Sequence, residues 1–250
     1  MPFYFIGLGL SNEKDITING IETIKKCDII YLENYTSILN CKKEDLEKFY
    51  NKKIILAPRQ KVENDKNEII DNAKTKNVAF LVAGDPFAAT THIDLFLRAK
   101  KEGIKCVVIH NASIITAVGI TGLQIYKFGK TTSIPFDNEN IEAPYDVLKG
   151  NLSLGLHTLF LLDLNPEDDK FLSVNDAIRY LLKVELKRNE KIFSEKTLCI
   201  GCARIGSQSQ MIKFGTAKEL LKHNFGKPVH CLIVPGKLHF MEEEGLDIYK

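Results

Sequence analysis

The chain has 250 residues, of which 44% are hydrophobic and 26% are charged, and its formal net charge is only +2. So small an imbalance excludes the strongly basic surface of many nucleic-acid-binding proteins, and no apolar run reaches the ~18 residues of a membrane-spanning helix. The six cysteines are scattered, and no signal sequence is recognised, which predicts a reduced, cytoplasmic protein with no membrane or nucleic-acid partner.

The first half of the chain alternates short β-rich runs with helical patterns. This rhythm predicts an α/β domain with a parallel sheet and helices on both faces. The predicted strands are residues 3–10, 28–32, 54–57, 78–83 and 106–110. The predicted helices are residues 18–25, 43–50, 63–74 and 93–101.

Beyond residue 113 the rhythm changes, which predicts a second, mixed α/β domain. The boundary is placed so that residues 1–115 form the first domain and residues 116–250 the second. Ser173 and Asp176 are expected to cap a helix, and the most linker-like stretch is residues 138–151. The other predicted elements are strands at 131–135, 157–164, 197–203 and 229–234, and helices at 175–186 and 217–223.

Three predicted strands end in short polar or glycine-containing segments. They are Gly7-Leu8-Gly9-Leu10, Gly84-Asp85-Pro86 and His110-Asn111-Ala112-Ser113. Because ligands of open α/β sheets bind beyond the carboxyl ends of the strands, these segments are expected to converge on one rim. Taken singly, each has a simpler interpretation: a tight glycine turn, an Asp turn before proline, and a helix cap at Ser113.

Other motifs give no chemistry of their own. Cys199-x-x-Cys202 lies in a strand-like run without a second pair, which favours two core cysteines over a zinc or redox site. No metal site is predicted, and no nucleophile–base pair is evident, so no catalytic residue is assigned. Methyl transfer from a sulfonium requires neither, because positioning supplies much of the lowering of the barrier.

Longer strings are more specific than any single motif. They are Gly7–Leu10; Tyr31-Leu32-Glu33-x-Tyr35-Thr36-Ser37; Gly84-Asp85-Pro86-Phe87-x-Ala89-Thr90-Thr91-His92; His110-Asn111-Ala112-Ser113-Ile114; Gly122-Leu123-Gln124-x-Tyr126-Lys127-Phe128-Gly129; His157-Thr158-Leu159; Leu161-Leu162-Asp163; Ala203-Arg204-x-Gly206; and Pro228-x-His230. Together these strings resemble the diphthine synthase family over nearly the whole chain.

The resemblance implies the tetrapyrrole-methylase fold, with two α/β domains and the cofactor in the cleft between them, in a homodimer. It implies that S-adenosyl-L-methionine is the methyl donor, S-adenosyl-L-homocysteine the product, and translation elongation factor 2 the protein substrate. The acceptor is the α-amino nitrogen of the aminocarboxypropyl arm on a modified histidine. Archaeal-type members stop at trimethylated diphthine and eukaryotic-type members also form a methyl ester; the sequence leaves both products open.

The resemblance also implies cofactor contacts at eight positions: Leu10, Asp85, Ala88, Ser113, Ile114, Leu162, Ile205 and His230. Asp85 is expected to hold cationic or hydroxyl groups of the cofactor. Ala88 stands where Gly is frequent and Ile205 where Val is frequent, which does not matter for contacts through the backbone. Residues 163–173 form a short loop where animal-type members carry an insertion, so substrate contacts there do not transfer.

Three alternatives remain open at this stage. A methylase of the same fold acting on a tetrapyrrole would share the sheet and differ in its acceptor. A nicotinamide-dependent oxidoreductase would need a third glycine, which is absent, although Glu33 is acceptably spaced for its acidic residue. A non-catalytic module on the translation machinery is the third.

Overall fold

The fold is described from a computed structural model that covers residues 1–64 and 68–250. The chain divides into two units, Met1–Ala117 and Val118–Lys250, and each unit has its own sheet. The middle of the helix expected at 63–74 lies outside the described residues. Among those that are described, no helix is both long and apolar enough to span a membrane.

The first unit is built on a five-stranded sheet in which every pair is parallel. Its strands are β1 (Pro2–Gly7), β2 (Ile29–Glu33), β3 (Ile55–Ala57), β4 (Val78–Val82) and β5 (Lys105–Ile109), in the order β3-β2-β4-β1-β5. Its helices are α1 (Ile18–Lys25), α2 (Lys43–Tyr50), α3 (Arg59–Glu63), α4 (Glu68–Thr75), α5 (Ile93–Lys101) and α6 (Ile114–Ala117).

Burial explains why the strands of the first unit are recognisable in the sequence. Every residue of β4 is buried, as expected of a central parallel strand covered on both faces. Two clusters of buried apolar side chains pack in this unit, one including Phe3, Phe5 and Phe80 and the other Ile6 and Leu81. The first strand ends at Gly7 rather than at residue 10, because the chain turns at Gly9 with φ of 79°.

The second unit has a mixed sheet in the order β11-β10-β12-β7-β6, in which only the β6–β7 pair is parallel. Its strands are β6 (Thr132–Ile134), β7 (Thr158–Leu162), β8 (Leu164–Asn165), β9 (Lys170–Phe171), β10 (Leu198–Ala203), β11 (Met211–Thr216) and β12 (His230–Val234), with β8 and β9 forming a separate hairpin. Its helices are α7 (Ala143–Ser153), α8 (Val174–Arg188), α9 (Ala217–Leu220) and α10 (Phe240–Asp247), with 3-10 turns at Val118–Thr121, Ile125–Lys127 and Pro166–Asp168.

The expected cap of α8 is confirmed. Ser173 Oγ accepts from the Asp176 backbone N–H at 3.2 Å, and the Asp176 carboxylate accepts from the Ser173 N–H at 2.9 Å. Aspartate therefore completes the reciprocal cap that Glu or Gln usually makes.

The prediction of a linker at residues 138–151 is wrong for its second part, because residues from Ala143 onward form α7. Pro144 stands in the first turn, where its missing N–H costs nothing and its fixed φ favours the helix. Tyr145 and Leu148 are fully buried against the core of the second unit. The proline that suggested a linker is therefore the start of a helix.

The C-x-x-C motif lies inside a strand, as expected for core cysteines. Cys199 and Cys202 are buried in β10, and Cys202 pairs in register with Cys231 of β12. Burial raises the pKa of Cys199, and the hydrogen bond with Cys231, together with burial, raises the pKa of Cys202. A raised thiol pKa leaves little thiolate at neutral pH, which disfavours a nucleophilic role.

Candidate functional site

The carboxyl ends of β1 and β4 are joined by a short backbone bridge. The Gly9 N–H donates to Gly84 O at 3.2 Å, and the Gly84 N–H donates to Gly9 O at 2.7 Å. Both glycines have φ of 79°, which L side chains rarely adopt. A Cβ at Gly7 would lie 2.6 Å from Gly84 O. Glycine is therefore required for the loops after β1 and β4 to run side by side.

Asn111 connects the loop after β5 to the other two loops. Its side-chain Nδ2 donates to Gly7 O and to Asp15 O, both at 3.0 Å. Its backbone N–H donates to Asp85 Oδ2 at 3.1 Å. The three segments that follow β1, β4 and β5 therefore form one rim, as the sequence predicted.

Asp85 is the acceptor at the centre of this rim. Oδ1 accepts from the Phe87 N–H at 3.0 Å, while Oδ2 accepts from Asn111 and lies 2.7 Å from His110 Nδ1. Burial by itself raises the pKa of Asp85, but these hydrogen bonds outweigh it and hold the pKa below its usual value. Asp85 is therefore an ionised carboxylate that joins the loop after β4 to the loop after β5. The sequence predicted only a contact with the cofactor at this position, and not this structural role.

The other candidate residues of the first unit lie on the same rim. Leu10 follows the bridging Gly9, and the Ala88 N–H donates to Asp85 O at 3.3 Å. Ser113 is buried immediately before α6, and its carbonyl accepts from Ala117 at 2.9 Å. Ile114 is the first residue of α6. The structure thus brings five of the eight candidates together within one unit.

The remaining three candidates, Leu162, Ile205 and His230, lie at one edge of the second sheet, where strands β7 and β10 end and strand β12 begins. Leu162 is the last residue of β7, and His230 is the first residue of the antiparallel β12. Ala203, the last residue of β10, pairs with His230, and Ile205 follows two residues later. The register of β7 and β12 therefore sets Leu162 beside His230, and Ile205 lies two residues beyond the end of β10.

Arg204 holds this edge together and was missed as a functional residue. Its side chain is buried and donates to Ser209 O at 3.1 Å, to Phe225 O at 2.9 Å and to Lys227 O. Its own backbone N–H donates to Val229 O at 2.8 Å. The guanidinium therefore fixes the chain after Ile205 and the chain before His230. The sequence signal was present, since Arg204 lies in one of the strings shared with the resembled family.

His230 carries a hydrogen-bonding atom without a partner. Its Nε2 lies 2.9 Å from Lys227 O, so Nε2 must carry the proton and Nδ1 must be an acceptor. Nδ1 is buried, and it has no partner within residues 1–64 and 68–250. Burial lowers the pKa of His230, which favours the neutral ring. Because buried polar atoms are nearly always paired, this lone pair is suited to an N–H or O–H donor of a ligand.

Glu33 is not available to a ligand. Its side chain is only 2% exposed, and Oε2 accepts from the Tyr35 and Thr36 N–H groups while Oε1 accepts from Thr36 Oγ1 at 2.7 Å. The carboxylate thus forms the turn that follows β2. An acidic residue that binds a nicotinamide ribose must face outward at this position, which argues against the oxidoreductase alternative.

A second buried acid, Glu242, explains two of the strings shared with the resembled family. Glu242 is fully buried and accepts from the Gln124 N–H and from His157 Nε2, both at 2.9 Å, and from the Lys127 ammonium. His157 Nδ1 accepts from the Gly236 N–H at 2.9 Å, so His157 is neutral with its proton on Nε2. These residues are a structural network within the second unit rather than a binding site.

Among the residues that the structure describes, no group of three or more His, Cys, Asp or Glu side chains is arranged to hold a metal ion.

Comparisons with known proteins cover nearly the whole chain. Residues 2–221 match the model of the family described as Tetrapyrrole (Corrin/Porphyrin) Methylases. The chain is 49% identical over 243 residues to "Diphthine synthase" of Methanococcus vannielii, covering 96% of this chain and 95% of that protein. It is 48% identical over 270 residues to "Probable diphthine methyl ester synthase" of Arabidopsis thaliana, covering 99% and 98%. A crystal structure of diphthine synthase superposes with a TM-score of 0.92 at 37% identity, covering 100% and 96%.

Proposed function

The chain belongs to the diphthine synthase family within the tetrapyrrole methylases, and we propose that it methylates the aminocarboxypropyl-histidine of translation elongation factor 2. It is an S-adenosylmethionine-dependent methyltransferase of diphthamide biosynthesis. The observation that carries the proposal is identity of 49% over 96% of the chain to a diphthine synthase. A small tetrapyrrole as the acceptor has no support among these relatives.

Eight residues are proposed to hold S-adenosyl-L-methionine. Five of them, Leu10, Asp85, Ala88, Ser113 and Ile114, lie on the rim of the first unit, and three, Leu162, Ile205 and His230, lie at the edge of the second sheet. The glycines at positions 9 and 84 favour contact between the backbone of the rim and the cofactor, because they have no side chain that would keep a ligand away from the loop.

The chemistry of two side chains fits this cofactor. The unpaired Nδ1 of His230 accepts a hydrogen bond, and the cofactor offers N–H donors in its adenine amino group and its ammonium group. Asp85 is ionised, and a carboxylate is suited to a ribose hydroxyl or a cationic group. The backbone and His110 already use part of its hydrogen-bonding capacity, so Asp85 acts on the cofactor from a fixed position.

The cofactor, when bound, supplies a methyl group on a sulfonium and leaves as S-adenosyl-L-homocysteine. The residues of this chain contribute placement, because holding donor and acceptor in line removes much of the entropic barrier. Exclusion of water by apolar residues such as Leu162 also favours the neutral acceptor amine over its charged form.

The finer features of the proposal follow the family. We propose a cytoplasmic homodimer that uses elongation factor 2 as its protein substrate. Relatives of nearly equal similarity carry names for both products, diphthine and its methyl ester. The number of transferred methyl groups is therefore left to experiment.

Mass spectrometry of elongation factor 2 tests the proposal. The substrate carries the aminocarboxypropyl-histidine and is incubated with this protein and S-adenosyl-L-methionine. Stepwise gains of methyl mass on that histidine are expected, and the final count separates the trimethyl product from the methyl ester. A substrate in which the histidine lacks the aminocarboxypropyl arm is the matched control. Cofactor binding in calorimetry without any methyl gain would contradict this acceptor.

A further inference from the structure

The rim of the first unit contains a histidine that the cofactor contacts do not use. His110 is the residue after β5, its side chain is 70% exposed, and its Nδ1 lies 2.7 Å from Asp85 Oδ2. Because Asp85 is an ionised acceptor, the proton of this hydrogen bond belongs to Nδ1 of the neutral ring. Nε2 is then left with a lone pair on an exposed ring.

A carboxylate that orients an imidazole through Nδ1 leaves Nε2 able to accept a proton, which is the arrangement of a general base. Asp85 is itself fixed by the Phe87 and Asn111 N–H groups, so the ring is held by a rigid partner. The titratable residues on the loops in contact with this segment are Asp85 and the buried His92 after β4, and Glu13, Lys14 and Asp15 after β1. The Asp15 carboxylate is occupied by the Ser11 N–H at 2.6 Å.

We propose that His110 is the general base that removes protons from the acceptor amine before methyl transfer. This inference rests on the proposed function. In each round an N–H bond of the substrate ammonium breaks, the proton passes to Nε2 of His110, and the electron pair stays on the amine nitrogen. That pair forms the new N–C bond as the bond between the methyl group and the sulfonium breaks, and the electrons of the broken bond stay on the sulfur. Three rounds release three protons, and the trimethylated nitrogen has none left to lose.

The proposal requires a specific tautomer in the protein without substrate. Nitrogen-15 NMR of histidine-labelled full-length protein is expected to show the neutral ring of His110 protonated on Nδ1. The variant Asp85→Asn is expected to lose this preference. A ring protonated mainly on Nε2 in the unmodified protein would overturn the assignment, whatever the activity.

The kinetic test uses His110→Asn, whose side-chain amide retains a donor close to the position of Nδ1 but has no base at Nε2. We expect amine methylation at pH 7 to fall about 100-fold, the usual contribution of a general base. Calorimetry should give unchanged affinity for S-adenosyl-L-methionine. The deficit should shrink as the pH rises past the ~8 at which an α-amino group loses its proton in solution. His223→Asn, an exposed histidine of the second unit, is the control and should behave as the unmodified protein.

The outcomes separate the two proposals. No methylation of elongation factor 2 by the unmodified protein contradicts the proposed function, and the base with it. Methylation by the unmodified protein and by His110→Asn at equal rates contradicts the base alone. So does a deficit that stays constant with pH, because it indicates lost positioning. If His110→Asn is unfolded by circular dichroism, His110→Gln and the tautomer measurement decide.

Discussion

The side-chain nitrogen of Asn111 lies 3.0 Å from the carbonyl oxygen of Gly7, although 104 residues separate them in the chain. The same nitrogen donates to Asp15 O, and the Asn111 backbone donates to Asp85. The loops after three strands are therefore fixed relative to one another by one residue. The Gly9–Gly84 bridge joins the loops after β1 and β4, and the Asn111 side chain attaches the loop after β5 to them.

Asn111→Ala is expected to destabilise the protein by about 1–3 kcal/mol, because the carbonyls of Gly7 and Asp15 lose their donor. Urea denaturation monitored by circular dichroism gives the free energy of unfolding. Asn12→Ala is the control, since the Asn12 side chain makes an exposed hydrogen bond in the neighbouring loop, and it should change stability by less than about 0.5 kcal/mol. Equal effects of the two substitutions would show that the amide does not organise the rim.

Asp85→Ala is expected to weaken binding of S-adenosyl-L-methionine by about tenfold or more, because the N–H groups of Phe87 and Asn111 lose their acceptor and the rim relaxes. Isothermal titration calorimetry measures the dissociation constant. Asp94→Asn, which removes an exposed partner of Arg98 on α5, is the control. Unchanged affinity in Asp85→Ala would exclude a role for Asp85 in cofactor binding.

His230→Leu is expected to weaken cofactor binding by about tenfold, the usual loss for one hydrogen bond to a buried acceptor. His230→Asn should lose less, because its side-chain oxygen can take the place of Nδ1. Calorimetry on both variants separates the acceptor from simple packing. Equal losses in Leu and Asn would indicate that ring packing, and not the unpaired Nδ1, matters.

Substitution of glycine by alanine is expected to have opposite effects on stability at Gly7 and at Gly150. Gly7→Ala should destabilise the protein by about 2 kcal/mol or more, because its Cβ would lie 2.6 Å from Gly84 O, a backbone atom. Gly150→Ala should stabilise it by about 0.5–1 kcal/mol, because Gly150 lies inside α7 and, apart from its chain neighbours and the nearby backbone of α7, no atom lies within 4 Å of the added carbon. Thermal and urea denaturation measure both. A shift of the same sign in the two variants would contradict the close approach of the loops.

Glu242 predicts a loss of stability in acid. Burial alone raises its pKa, but Lys127, the Gln124 and His239 N–H groups and His157 outweigh burial and lower the pKa to about 2. Because the folded pKa is depressed, ionised Glu242 stabilises the fold above the unfolded value of about 4.5. This stabilisation is lost as the pH falls from there towards 2.

Glu242→Gln should therefore cost on the order of 3 kcal/mol at pH 7 and less than half of that at pH 3. Urea denaturation at both pH values measures the difference. Glu243→Gln, at an exposed position of the same helix, serves as the control. A cost that does not depend on pH would show that the charge of Glu242 is not what the network uses.

Much of the first unit follows from its sequence because its central strands β1, β2 and β4 are largely buried. Continuous apolar runs such as β4 have no other stable position, and glycines at positions 7, 9 and 84 indicate where backbone must meet backbone. The second unit is harder to predict. The edge strand β11 was missed because its residues are only partly buried, and α10 because three glutamates interrupt its apolar pattern.

The sequence predicted which strand ends form the candidate site, but it did not predict the hydrogen bonds that connect the side chains there. The most informative atoms of the site are Nδ1 of His230 and the carboxylate of Asp85. The carboxylate depends on His110 and Asn111, which are 25 and 26 residues away, and the tautomer of His230 depends on a backbone carbonyl of the preceding loop. His110 illustrates the limit, since a histidine beside an apolar strand is usually structural. Only its distance to Asp85 distinguishes it as a base.

The connection of α10 to the start of the second unit has a consequence for synthesis on the ribosome. Glu242 contacts Gln124, Lys127 and His157, and Tyr249 OH donates to Ile120 O at 2.7 Å. The parallel sheet of the first unit needs only residues 2–109 and is complete long before these contacts exist. The second unit must wait with its buried network open until residue 249 has left the exit tunnel. We therefore expect chaperones to act on the second unit while it is still a nascent chain.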